Sequence, residues 1–174
     1  MRTVDLSDPE LIAFSGEHLL YELRLLLFTG QELGREPTPV MRSVLIESFV
    51  IHLRNLIDFF YTPRVKEDDV IAADFCPGWN ETPSNTLKDA KERANKELSH
   101  ITLGRKSGLD PSKPWDVGAL YQEVHDVATA FAGKASPAKL SPEVPKWLGM
   151  SRANTVAVIV GMSTTNTTSS VVTS

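Results

Sequence analysis

The chain has 174 residues, 41% of them apolar, with a net charge of −4 and a pI of about 5.6. That is enough apolar content for a packed core and too much for wholesale disorder, and the acidic balance argues against broad electrostatic capture of nucleic acid or an anionic membrane. The single cysteine, Cys76, excludes an internal disulfide framework and a cysteine-based zinc site. The N-terminus lacks a secretory pattern and no run of 18 apolar residues occurs, so the cytoplasm is the expected location.

The first helix is expected to start near Ser7 or Asp8, with Pro9 in its first turn. Ile12, Leu19, Leu20, Leu23, Leu26 and Leu27 fall on one face; Phe14, Tyr21, Leu25 and Phe28 lie roughly opposite. A helix apolar on two sides has to be covered on two sides, which predicts a central helix or a homodimer interface. Gly30 and Gly34 are expected to end it. After Pro37, a second helix is predicted over 39–61, closed by Thr62-Pro63. His52 falls within its broad apolar arc and reads as a core histidine, whereas Glu47, Arg54, Asn55 and Asp58 form a polar strip.

Residues 63–83 form an excursion. Glu67, Asp68 and Asp69 precede Val70–Ala73, which reads as one short helix with acids at its positive end. A turn-rich stretch carrying Trp79 follows. The third main helix is expected from Pro83-Ser84 to Gly104, with a narrow stripe of Leu87, Ala90, Ala94, Leu98 and Ile101. The fourth is expected from Trp115 or Asp116 to about Ala132. Pro137, Pro142 and Pro145, with a Ser/Thr-rich end, predict that residues 134–174 are a mostly disordered tail, with a docked turn at Trp147-Leu148 as its one foothold. The expected fold is therefore all-α: a four-helix up-and-down bundle over 1–133, a short extra helix between the second and third, and a disordered C-terminal tail.

Chemistry is sought on the second and third helices. Arg54 and Asp58 are four residues apart and share a face; Arg93 and His100, seven apart, lie on one line, with Lys96 close to it. If these helices pack together, Arg54, Asp58, Arg93 and His100 could meet in a polar groove. Solvated ion pairs would give the same spacing on a bare surface. Asp68, Asp69 and Asp74 are explained by a helix start. The four histidines include no Glu-x-x-His pair of the di-iron kind, so no metal or other cofactor is expected.

Four helices with an arginine followed by a histidine late in the bundle resemble the HEPN superfamily, whose motif is Arg, four to six residues, then His. Arg93 and His100, with six residues between, fit its loosest form; the polar residue that often follows the arginine is replaced by Ala94. The resemblance implies a metal-independent ribonuclease of a toxin or defence system, or an inactive relative. Arg93 would steady the phosphate and His100 would handle the proton, with Arg54, Asn55, Asp58 and Lys96 in support. RNA and a second copy of the chain would be its partners. The alternative is a non-enzymatic dimeric interaction module whose polar groove is structural.

Overall fold

The computed structural model describes residues 6–62, 68–97 and 114–151. These are mostly helical, with no strand among the described residues, and no described helix is long and apolar enough to cross a membrane. The elements are α1 (Asp8–Phe14), a π-helical turn (Ser15–Leu19), α2 (Leu20–Leu33), α3 (Pro39–Tyr61), α4 (Ala72–Phe75), α5 (Asn85–Glu97), α6 (Val117–Lys134) and α7 (143–151).

α1, the π turn and α2 form one continuous rod. It opens on a capping box in which the Ser7 N–H donates to the Glu10 carboxylate at 2.8 Å. These hydrogen bonds from the Ser7 side chain and backbone hold the Glu10 carboxyl below its ordinary range. The rod ends at Leu33, with Gly34 as cap. Gly30 does not terminate it: a Cβ there would lie 3.3 Å from Val117 and 3.6 Å from Phe49, so this glycine permits close packing of α2 against α3 and α6.

α3 has the expected bounds because Thr38 caps it, Pro39 occupies its first turn and Thr62 closes it. It is the hub, packing on α2, α4, α5 and α6, with its broadest interface to α2. Phe49, Leu53, Leu56 and Ile57 are fully buried there. At its C-terminal end, Phe59 and Phe60 meet Phe131 edge-on at 5.5 and 5.6 Å between ring centroids, and Phe75 joins at 5.8 Å. Trp79 closes this aromatic cluster by donating its indole N–H to the Phe60 carbonyl at 2.7 Å.

Two expectations are corrected. The short helix begins at Ala72, not Val70, because the Asp74 carboxylate accepts the Ile71 N–H at 2.9 Å and sets the start there. Residues 135–151, assigned by the sequence to the tail, belong to the packed body: Leu140, Val144 and Leu148 are buried with the core. Pro145 lies in the first turn of α7, where backbone N–H groups have no helical partner to lose. The segment is also hydrogen-bonded in. The Ser141 N–H donates to the Ser15 hydroxyl at 2.9 Å, the Ser136 N–H to the Phe75 carbonyl at 3.2 Å, and His125 Nε2 lies 3.0 Å from the Ser151 hydroxyl. Residues 152–174 lie outside the described residues.

Candidate functional site

The polar strip of α3 faces a groove of about 570 Å³ between α3, the π turn and the segment 69–71. Its polar wall is His18, Glu22, Arg54, Asn55, Asp58 and Asp69. Phe14, Leu56, Phe59, Val70 and Ile71 add apolar residues to its lining.

The helical register explains who meets whom. α2 and α3 run antiparallel, so Glu22 reaches α3 about two turns before its end. Its carboxylate takes a 2.7 Å hydrogen bond with His52 Nδ1 and accepts from the Asn55 amide at 3.3 Å. His52 is buried, with the Tyr21 ring edge-on at 5.6 Å, and so is a core histidine satisfied by a carboxylate. One turn further on, Asp58 accepts from Thr62 Oγ1 at 3.0 Å and pairs with Lys91 Nζ of α5 at 2.5 Å. The Arg54–Asp58 contact is long, 3.9 Å, and both side chains are about two-fifths exposed. Such pairs contribute at most about 1 kcal/mol.

The expected meeting of Arg54 and Asp58 with Arg93 is not how α5 is turned. Lys91 and Arg93 are two residues apart, about 200° round a helix. Lys91 points to Asp58, and Arg93 flanks the other side of the apolar stripe. There its guanidinium lies 4.1 Å above the Trp115 ring and donates to the Pro114 carbonyl at 3.4 Å. Lys96 pairs with Glu92 at 3.6 Å on an exposed face. His100 lies outside the described residues. Among the described residues, no three His, Cys, Asp or Glu side chains are grouped to hold a metal ion.

The residues that sequence reasoning missed are Glu22, His18, Lys91 and Asp69. His18 and Glu22 are four apart, a signal that was there to read. Lys91 carried none, because its role depends on how α5 is rotated against α3.

A second surface stands out beside the groove. Along the outer seam of α2 and α3, Tyr21 and Phe28 are each 53% exposed, and Val40, Met41, Val44 and Ile51 are exposed at least as much or nearly so. Leu25, on the same face of the rod, is half-buried.

Comparison with protein-family models, with curated proteins and with solved structures returned no match. The HEPN resemblance therefore stands on Arg93, His100 and the helical class of the fold.

Proposed function

We propose that this chain is a non-enzymatic interaction module that works as a homodimer, joined through the outer seam of α2 and α3. The carrying observation is the exposed apolar set Tyr21, Phe28, Val40, Met41, Val44 and Ile51. Each leaves roughly 100 Å² to solvent, roughly 600 Å² in all, about three-quarters of the ~800 Å² per partner of a standard interface. That is the upper end of the ~300–600 Å² usual for the largest apolar patch on a monomer. A second copy is the occupant that presents a matching area of the same chemistry, since a two-fold axis sets one patch against itself. In this reading, the Glu22–His52–Asn55 contacts fix α2 against α3, the two helices that carry the seam, and Asp58–Lys91 ties α5 to α3.

The competing reading is a HEPN-like bundle that cuts RNA with Arg93 and His100. The stacking of Arg93 on Trp115 supports the module reading over it, because that guanidinium already has structural work. Two measurements on the full chain test the proposal together. Light scattering at high micromolar concentration is expected to give twice the chain mass, and incubation with RNA in EDTA is expected to leave the RNA intact. A monomer overturns the dimer. Cleavage in EDTA that His100→Ala abolishes, without loss of fold, overturns the non-enzymatic reading.

A further inference from the structure

The groove at the π turn is formed within one chain and is not needed for association. We propose that it is a binding site for a small amphipathic organic cation, an amine carried on an aromatic or aliphatic body.

Three observations carry this. The first is size and lining. A volume of about 570 Å³ falls within the range of small-molecule sites, and the lining combines apolar and polar side chains. Phe14, Val70 and Ile71, each half-buried, offer a surface for an apolar body. Glu22, Asp58 and Asp69 bring carboxylates to the same groove.

The second is charge. Among the described residues, three carboxylates and one guanidinium, Arg54, line the groove. Lys91 reaches Asp58 from α5, and even with it included the described acids outnumber the described fixed cations by three to two. Glu22 and Asp58 are engaged by protein donors and Asp69 also has an interaction within the protein, yet a carboxylate has about four acceptor positions, so each can take a further N–H. An anionic ligand would meet net repulsion here. A bare metal ion would lack a ligand set, since no suitable group of three is found among the described residues. An ammonium suits both the carboxylates and the aromatic rings, because the face of Phe14 or Phe59 attracts a cation.

The third is the backbone of the rod. Phe14, His18 and Glu22 are spaced by four, which in an α-helix drifts about 40° at each step. The π turn over Ser15–Leu19 closes with i→i+5 bonds and turns less per residue, keeping the three residues on the groove side. The Phe14 and His18 rings lie 4.9 Å apart there, a partial aromatic wall ahead of Glu22. Such turns recur at functional sites because they re-aim side chains at the cost of regular hydrogen bonding.

The test is calorimetric titration of the full chain with phenethylammonium and, as the charge-reversed control, with phenylacetate. It is run at pH 8, above the ordinary imidazole range. Expected are saturable binding of the amine at one site per chain and none of the acid. Asp69→Asn is expected to weaken the amine at least tenfold. Arg54→Gln, which removes the one guanidinium among the described lining residues, is expected to tighten it several-fold, a gain that a damaged fold would not give. No saturable binding of the amine, equal binding of both probes, or a loss rather than a gain with Arg54→Gln would overturn the proposal.

Discussion

The segment 135–151 and the outer seam of α2–α3 invert each other. In the segment, short and broken by prolines, apolar side chains point inward and key polar atoms find partners: Leu140, Val144 and Leu148 are buried, and Ser141 and Ser151 are hydrogen-bonded. In the seam, built on α2 and α3, Phe28, Val44 and Ile51 point outward. A long helix therefore does not mark what is self-contained. The chain covers one side of its core with an irregular strap of its own residues and leaves an apolar strip on the α2–α3 pair.

The largest test of this contrast is truncation after Lys134. It removes four core side chains, Ala135, Leu140, Val144 and Leu148, the three larger ones each contributing roughly 2 kcal/mol by burial. The expected loss is several kcal/mol out of the 5–15 that a domain of this size commonly holds, read as a large fall in Tm. An unchanged Tm would show that the strap is not part of the body.

Next in size is the seam. Phe28→Glu or Tyr21→Glu should weaken association by about 2 kcal/mol, roughly thirtyfold, while the melting of the dissociated chain stays within a degree or two. Each side chain is already half exposed, so little intrachain packing is lost.

Glu22→Leu should cost about 1–3 kcal/mol in stability, because it leaves the buried His52 Nδ1 without its carboxylate. Asp58→Ala should cost less, under about 1 kcal/mol, since Asp58 is two-fifths exposed and its pair with Lys91 is partly screened by solvent. Chemical denaturation of the two variants side by side would reveal a reversed order if the Asp58 contacts were the more protected.

The smallest effect is a pH dependence. Burial, then the charges of Glu123 and Glu81, raise the Tyr61 hydroxyl above its ordinary value of 10.0. The unfolded chain then ionises first as pH rises, so stability falls through the alkaline range from about pH 10 upward. Tyr61→Phe should flatten that part of the Tm profile and leave the neutral range unchanged.

Much of the fold is legible in the residues. The bounds of α3 follow from Thr38, Pro39 and Thr62, and the core stripe of α5 from Leu87, Ala90 and Ala94. What is not legible depends on a partner segment. Pro142 and Pro145 look like helix breakers until α7 is seen to begin beside them. Gly30 looks like a terminator until Val117 and Phe49 are found against it. At the groove, the strip Arg54–Asn55–Asp58 can be read from four-residue spacing, but its cross-helix partners Glu22 and Lys91 cannot, because one helix's pattern says nothing of its neighbour's rotation. Four- and seven-residue spacing does not show that Arg93 turns away from Asp58, because its engagement with Trp115 hangs on a residue 22 positions later.

The central claim is that the seam is an interface between two copies of this chain. Sedimentation velocity over a concentration series, on the wild type and on Phe28→Glu, tests it most directly. The expected result is a concentration-dependent shift from monomer to dimer for the wild type and a monomer throughout for Phe28→Glu, with equal helical content in both. A wild type that stays monomeric at every concentration, or a dimer that Phe28→Glu leaves intact, would contradict it.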